Sequence, residues 1–408
     1  MGRRMAALAG VLVACWASPT FAGEGSKSLD ELLVDKGVIS KDEAASVQGR
    51  KFAAWVDRVT FSGDLRLRDE GFWRDPASDR HRARFRLRLA SELNIRDLTV
   101  GIRLASGTGE QLSTNQSFDD LASQKGLWID RAYLRWQGAS SKWLALTGGK
   151  MPNPFFTVYS SDAMWDEDVN PEGFAENLNV AFGGSGNLFV NLAQIVLDED
   201  SSGNLSTDQW LFGQQVGIAL EPMKDTKATL AATYYNFVNV ENNNFGQVTC
   251  NPGNTRTSAC TSPTAATGVL LNDYNVLDVT GHVGVKAGGL PIAVMGDYLV
   301  NTVGPTDGAG NETKDNGYQV GLILGKAGEA KTWEIAYFHK VMGTDATVAD
   351  LADADFGTGG TDRRGDIAWA AYNPSKAVQA KVKFYNTEKL SPGQDDVKRL
   401  QADLVVKF

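Results

Sequence analysis

The chain has 408 residues, a formal net charge of −9 at pH 7, 43 glycines and three cysteines. This acidic balance argues against nucleic acid as a partner. Past residue 22, no uninterrupted apolar stretch approaches the roughly 20 residues that a membrane-spanning helix needs. Charged residues make up 22% of the chain. If the mature protein lies in a membrane, it must cross as a β-barrel, whose alternating apolar and polar positions average to such a composition.

The amino terminus has the layout of a secretory signal. Arg3 and Arg4 precede a mostly apolar run that ends at Trp16, and a polar stretch with small residues follows. This pattern predicts that residues 1–22 are a cleaved signal peptide. A second interpretation is a lipoprotein cleavage box, which would leave a lipidated Cys15.

Residues 23–56 differ from everything after them. Ser28 can cap a short helix that Gly37 would end, and Ser40 followed by Glu43 fits a capping box for a second one. We expect a short helical segment in the periplasm. The alternative is a partly disordered leader.

From Asp57 onward the apolar period changes to two and turn residues recur at regular intervals, which is typical of β-strands. The segment 57–408 is therefore predicted to be an all-β transmembrane, antiparallel up-and-down barrel of about sixteen strands. The predicted strands are 57–70, 80–95, 98–105, 128–137, 143–150, 174–183, 187–197, 210–220, 227–240, 274–287, 292–302, 316–326, 331–342, 364–373, 377–388 and 396–408.

The connections between these strands alternate in length. Long ones span 106–127, 151–173, 241–273 and 343–363, and tight turns lie between them. Short periplasmic turns alternating with long extracellular loops are characteristic of outer-membrane barrels. The last strand alternates apolar and polar residues and ends on Phe408. Such an ending resembles the signal read by the outer-membrane assembly machinery, so the sequence predicts the bacterial outer membrane as location.

Arginines recur at alternate positions of the early strands. In 82–88 every second residue is an arginine and the residues between are apolar. An arginine facing lipid at the bilayer midplane costs roughly 2–4 kcal/mol, so these side chains are expected to line the lumen. The candidate pore-lining residues are Arg66, Arg68, Arg82, Arg84, Arg86, Arg88, Arg103, Arg131 and Arg135. The alternative is that these arginines are ordinary lumen-facing residues in contact with water, with no special role.

The long loop 151–173, the third of the predicted extracellular loops, has the opposite charge. Its candidate constriction residues are Asp162, Asp166, Glu167, Asp168 and Glu172, accompanied by aromatic residues that could pack against a wall. If the loop folds inward, its carboxylates would face the arginines and set up a transverse field across a narrowed channel. The alternative is an acidic loop that points outward.

A family resemblance lies in the same region. The segments 149–155 (GKMPNPF) and 164–173 (MWDEDVNPEG), together with the leucine-rich segment ahead of the first strand, resemble a family of bacterial outer-membrane porins. The resemblance implies a sixteen-stranded pore, homotrimers and a distant likeness to phosphate-selective porins. Phosphate specificity is not carried over, because the loop here is acidic and few comparable lysine clusters occur.

Two features of the loops suggest local chemistry. Cys250 and Cys260 lie close together in a segment rich in small polar residues, so we expect one loop-closing disulfide. After the seventh strand, four residues fall at calcium-loop spacing, although Gln209 stands where the bidentate glutamate belongs. These possible Ca²⁺ ligands are Asp198, Asp200, Ser202 and Asn204; no other metal or cofactor is expected.

The function expected from these features is passive diffusion of ions and small polar solutes through a water-filled pore in outer-membrane lipid. One alternative is a barrel enzyme, a lipase or protease, for which Asp278, Thr280 and His282 on one strand face offer the only hydrolytic trio. Another is an adhesion or structural barrel. The enzyme and the channel differ in hydrolytic activity, and the structural barrel would not conduct.

Overall fold

The computed structural model describes residues 35–37, 40, 58–199, 207–245, 252–258, 268–393 and 395–408. No helix in these segments is long and apolar enough to cross a membrane. The predicted signal peptide, 1–22, lies outside the described residues, and so does almost all of the predicted helical segment, 23–56. Both remain predictions.

The described chain from residue 58 onward is built of β-strands that follow one another in a single sheet. The strands are β1 (Arg58–Asp75), β2 (Arg80–Ile95), β3 (Leu98–Ser106), β4 (Gln116–Ser117), β5 (Leu127–Trp136), β6 (Leu144–Lys150), β7 (Glu172–Phe182), β8 (Gly186–Asp198), β9 (Gln209–Met223), β10 (Thr226–Val238), β11 (Asn275–Ala287), β12 (Leu290–Asn301), β13 (Asn316–Gly325), β14 (Thr332–Met342), β15 (Arg363–Ser375), β16 (Val378–Lys389) and β17 (Asp396–Lys407).

Each long strand pairs antiparallel with its neighbours in sequence, and β17 pairs back onto β1 from Asp64↔Lys407 to Asp75↔Asp396. The sheet therefore closes, which satisfies every strand edge as a membrane barrel requires. Without β4, a two-residue strand beside β2, the described barrel has the sixteen strands predicted from the sequence. The fold prediction is confirmed, although a short helix before the barrel is not among the described features.

Side chains alternate between the two faces of the wall, because successive residues of a strand point in opposite directions. On β1, Leu65 and Leu67 are 38% and 45% exposed on the outer face. Arg66 and Arg68, between and beyond them, are each only 6% exposed and face inward. The outer face is thus apolar and the lumen charged, as the period-two pattern predicts.

Two long loops occupy the lumen. We call the segment between β6 and β7 (151–171) L3, and the segment between β14 and β15 (343–362) L7. Phe155 and Trp165 of L3 belong to the same buried apolar cluster as Val348 of L7. The sequence predicted the inward course for the third loop alone. L7 also folds inward. Many of its Asp and Thr side chains are buried and bond to loop backbone: Asp345 accepts the Thr255 amide, Asp353 accepts the Asp355 amide, and Thr361 donates to the Thr344 carbonyl.

Candidate functional site

The arginines of β1 and β2 form a cross-strand block on the inner wall. Arg66 lies directly opposite Arg86, and Arg68 directly opposite Arg84. Like charges placed directly opposite each other destabilise a sheet, so such a block requires negative partners.

Two inward-facing carboxylates on β1 supply much of that compensation. Asp64 accepts hydrogen bonds from Arg86 at 3.0 Å and Arg88 at 2.7 Å. Glu70, which is fully buried, accepts from Arg82 and also from an arginine of β17, Arg399. Arg82, Arg86 and Arg88 are therefore ion-paired within the wall.

Arg68 is neutralised by β17 and by L7. It donates to Asp403 at 2.7 Å and to Asp355 at 3.1 Å. Burial opposes the charged form of Asp355, but Arg399 and Arg68 outweigh it and hold the pKa of that carboxyl well below its usual range. L7 is thus fixed to the arginine block by a charged carboxylate.

Arg66 and Arg84 differ from their neighbours. Among the described residues, no carboxylate oxygen lies within 4 Å of either guanidinium. Arg66 donates to Asn115 Oδ1 at 2.7 Å, and Arg84 to the Asn115 carbonyl at 3.3 Å and the Ser113 hydroxyl at 3.4 Å. These two keep their charge uncompensated by an ion pair.

The remaining predicted arginines lie farther round the barrel. Arg103 pairs with Asp130, and Arg131 donates to Asn170 Oδ1 at 2.6 Å. Arg135 lies opposite Thr99, next to the tight turn that joins β2 and β3, and is exposed. The structure therefore does not bring Arg135 to the other arginines.

L3 crosses the lumen and is held on both sides. On the far wall, Gln319 of β13 donates to the Ser160 carbonyl at 3.0 Å, and Lys340 of β14 donates to the Ser161 carbonyl at 2.9 Å. On the near side, Thr114 donates its hydroxyl to Asp168 at 3.1 Å. The loop consequently narrows the passage between the two walls.

The predicted constriction carboxylates occupy distinct environments. Asp168 lies 3.9 Å from Arg86 and 3.8 Å from Arg88. Burial opposes its charged form, but the arginines outweigh it and lower the pKa of its carboxyl. Glu167 is exposed, whereas Glu172 pairs with Lys150 at 2.7 Å where L3 joins β7. Glu172 is thus separated from the arginine block.

Asp162 and Asp166 lie where L3 meets L7. Asp166 accepts the Ala354 amide at 2.9 Å. Removal from water, with Asp353 nearby, raises the pKa of Asp162 to about 8. Removal from water, together with the nearby Asp168, also raises the pKa of Asp166 well above its usual range. These two carboxyls therefore hold protons at pH values where a carboxyl in water is charged.

A second cationic wall, which the sequence analysis missed, faces L3 from β16. Lys381 Nζ lies 4.6 Å from the ring centre of Trp369, and Lys383 Nζ lies 4.8 Å from that of Tyr385. Aromatic faces stabilise cations without cancelling their charge. Among the described residues, neither ammonium has a carboxylate within 4 Å. The signal was present, because both lysines alternate with apolar Val382 and Phe384 as the arginines of β2 do.

The two walls and L3 enclose a cavity of about 90 Å³. Basic and acidic side chains border it from opposite elements. They include Arg66, Lys381, Lys383, Asp162, Glu167 and Asp168. A small hydrated space between opposite charges is suited to discriminate among ions and polar solutes.

Other predicted residues stand apart from this cavity. Phe408 exchanges backbone hydrogen bonds with Gly63, at 2.8 and 3.0 Å. Cys250 and Cys260 lie outside the described residues, as do Asp200, Ser202 and Asn204 of the possible calcium loop. In the described part of the chain, no group of three or more His, Cys, Asp or Glu side chains is placed to hold a metal ion.

The proposed hydrolytic trio is not assembled as one. Asp278 and Thr280 are buried, and the ring of His282 lies 6.4 Å from that of Phe156. No hydrogen bond between described side chains joins His282 to either of the other two.

Comparison with known proteins agrees with this architecture. The family model described as "Putative porin" matches residues 72–269 and 251–408. The fold is similar to that of OprB from Pseudomonas putida, with a TM-score of 0.57 and 12% identity over 86% of this chain and 94% of that one. It is also similar to that of OmpF from Salmonella typhi, solved with daunomycin, with a TM-score of 0.52 and 10% identity over 86% and 97%. No curated protein sequence matches significantly.

The two solved structures establish the barrel fold alone, since their identities to the chain are low. The family match extends over most of the barrel, including β2, L3, L7 and the closing strand. The chain therefore belongs to the porin family of that description, and it is an outer-membrane β-barrel channel.

Proposed function

We propose that the channel passes ions and small polar solutes by passive diffusion and that the cavity beneath L3 sets its selectivity. The observation that carries this proposal is that uncompensated cations and loop carboxylates border one cavity of about 90 Å³. No affinity for a solute is required. A permeating molecule has to be small, hydrated and compatible with the field between the two sides.

The field depends on which charges remain unpaired. Arg86 and Arg88 share Asp64, so each contributes little beyond its own pair. Arg66, Lys381 and Lys383 have no such partner in the described chain, and they act on passing ions through the hydrated cavity. Low-dielectric walls focus field lines there, so nearby charges outweigh the net charge of the whole chain.

The test is a planar bilayer recording of the purified, full-length channel. We expect stepwise currents and a non-zero reversal potential in a salt gradient at low ionic strength. The selectivity should shrink near 1 M salt, because the Debye length there is about 3 Å. Absence of stepwise conductance from correctly folded protein would contradict the proposal and favour a structural barrel.

We further propose that the channel assembles as a homotrimer, as the resemblance to sixteen-stranded porins implies. The terminal Phe408 would act earlier, as part of the signal recognised by the assembly machinery. Native mass spectrometry of the detergent-solubilised protein tests the trimer, and a monomeric mass would contradict it. Phe408→Ser tests the assembly signal, with reduced insertion as the expected result and normal insertion as the contrary one.

Finally, we propose that Cys250 and Cys260 form the disulfide predicted from the sequence. A bridge over so short a segment would stabilise the loop by about 3 kcal/mol in the chain-entropy model. Intact mass with and without reductant should differ by about two daltons, the two hydrogens gained when one bridge is reduced. Two thiols that alkylate without reduction would exclude the bridge.

A further inference from the structure

Behind L3, on the inner face of three adjacent strands, four side-chain oxygens are buried without a hydrogen-bond partner in the described structure. They are Asp278 Oδ1 and Thr280 Oγ1 on β11, Asp297 Oδ1 on β12, and Gln319 Oε1 on β13. The residues are 3%, 1%, 7% and 2% exposed, in that order. Buried polar atoms are almost always paired, so this cluster requires an explanation.

The strand register places these oxygens together. Thr280 lies directly opposite Asp297, and Asp297 directly opposite Gln319. Side chains paired in this way have Cβ atoms about 4.5–5.5 Å apart. Asp278 is two residues from Thr280 and shares its face, and its carboxyl comes within hydrogen-bonding reach of that of Asp297. The four side chains therefore lie side by side on one patch of the inner wall, with Asp297 at its centre.

L3 determines which atom of each side chain stays free. The Ser161 hydroxyl donates to Asp297 Oδ2, which leaves Oδ1 unpaired. Gln319 Nε2 donates to the Ser160 carbonyl at 3.0 Å, which leaves Oε1 unpaired. In both residues the loop occupies one polar atom, and the other remains an available oxygen ligand.

The neighbouring cation does not neutralise the two aspartates. Lys340 lies directly opposite Gln319, but its ammonium donates to the carbonyls of Ser161 and Asp162 and to Asp353 Oδ2, at 2.9, 3.2 and 3.0 Å. These three bonds use all of its donors. No described cation lies within 4 Å of either carboxylate. Burying two unpaired carboxylates is costly, so the pair needs a counter-charge.

We propose that Asp278, Thr280, Asp297 and Gln319 bind one hard divalent cation, for which Ca²⁺ is the best-matched ion. Two carboxylates, a hydroxyl and an amide oxygen are the ligand types that Ca²⁺ prefers, and waters complete its usual six to eight positions. The two negative charges balance the ion. Because Asp297 and Gln319 also hold Ser161 and Ser160, the ion would stiffen the anchorage of L3 to the wall.

This site goes beyond the channel function and is separate from the calcium pattern that begins at Asp198. Its competitor is a single proton shared between Asp278 and Asp297, with water satisfying the remaining oxygens. Addition of calcium distinguishes the cation site from the shared proton. Only the cation site gives saturable binding and calcium-dependent stability.

The test is isothermal titration of EDTA-stripped, folded protein with CaCl₂, together with its thermal unfolding with and without calcium. We expect one site per chain and a higher unfolding temperature with calcium. Asp278→Asn and Asp297→Asn should abolish both effects, because carboxylate count tunes calcium affinity. Asp366→Asn, which changes a half-exposed carboxylate on β15, is the matched control and should leave both unchanged.

If an aspartate variant does not fold, Thr280→Val provides the answer, because it removes one ligand oxygen and keeps the shape of the side chain. We expect the dissociation constant of this variant for calcium to rise about tenfold or more, because in other metal sites even the loss of a residue that only supports a ligand has an effect of that size. The proposal is overturned if the wild-type protein shows no saturable site up to millimolar calcium. It is also overturned if binding survives Asp278→Asn or is unchanged in Thr280→Val.

Discussion

The inner faces of β2 and β16 carry the same sequence pattern but differ in how their charges are compensated. On β2, Arg86 and Arg88 share the carboxylate of Asp64. On β16, Lys381 and Lys383 lie over aromatic rings instead. We therefore expect the ion-paired arginines of β2 to contribute mainly to stability, and the two lysines of β16 to contribute mainly to the field in the cavity. Alternating cations along a strand predict orientation, whereas the partners determine what the charges do.

The largest effect is expected on the free energy of unfolding, when the arginine block loses a buried carboxylate. Glu70→Gln would leave Arg82 and Arg399 facing a neutral amide. Removing one partner of a buried ion pair typically costs about 3–5 kcal/mol, and urea unfolding of the micelle-embedded protein measures the loss. The matched control is Glu388→Gln, whose partner Arg364 is half-exposed. We expect this variant to lose about 1 kcal/mol or less of its free energy of unfolding, as is typical of surface ion pairs. Equal losses would show that the wall is not held by its buried pairs.

The next effect is on ion selectivity and concerns the lysine wall, the pair Lys381 and Lys383 on β16. Lys381→Gln combined with Lys383→Gln should move the reversal potential toward cations and leave the free energy of unfolding nearly unchanged. A unit charge 4 Å away is worth about 1 kcal/mol in water, a roughly fivefold change in local ion partition. The control changes two exposed lysines near the tight turns, Lys331 and Lys376, to Gln. If the control shifts the reversal potential as much, the lysine wall does not border the conduction path.

The smallest effect is a pH dependence on the opposite side of the cavity. Because the pKa of Asp162 is raised to about 8, its carboxyl is neutral at pH 6 and gains a charge between pH 7 and 9. Cation preference should therefore increase over that interval. Since the folded pKa is raised, the stabilisation present at low pH is lost as the pH rises through about 8.

Recordings of reversal potential against pH test this expectation. In the Lys381→Gln, Lys383→Gln background, Asp162→Asn should remove the step near pH 8. Glu167→Gln, which removes a neighbouring exposed carboxylate, should keep the step and shift the whole curve toward anions. A step that persists in Asp162→Asn would assign the titration to another group.

Much of the fold follows from local rules in the sequence. β2 has the predicted limits, Arg80–Ile95. Its limits follow from the sequence because each residue's side of the wall is set by the strand alternation and by the cost of exposing a charged side chain to lipid. L7 was predicted only as a long connection, 343–363, since its burial depends on hydrogen bonds to distant loops. Asn254, for example, donates to the Thr347 carbonyl at 2.7 Å. Such long-range polar burial leaves no periodic signal.

The candidate site divides in the same way. The inward orientation of Arg84 follows from its alternation with apolar residues, and the acidic character of L3 is visible in its composition. The pairing of Arg86 with Asp64 depends on the register between β1 and β2, which one strand alone does not specify. Lys381 and Lys383 show the same alternation as the arginines, but two positions on one strand are too few to distinguish a cationic wall from chance.

The central claim is that ions pass through the cavity that L3 and the lysines of β16 border, and cysteine modification tests it most directly. In a Cys250→Ser, Cys260→Ser background, Lys383→Cys and Arg86→Cys channels are treated with a charged, membrane-impermeant thiosulfonate during bilayer recording. We expect modification at position 383 to reduce the single-channel current, and no change at position 86, which is 5% exposed within the wall. An unchanged current at 383 together with a reduced current at 86 would contradict the claim.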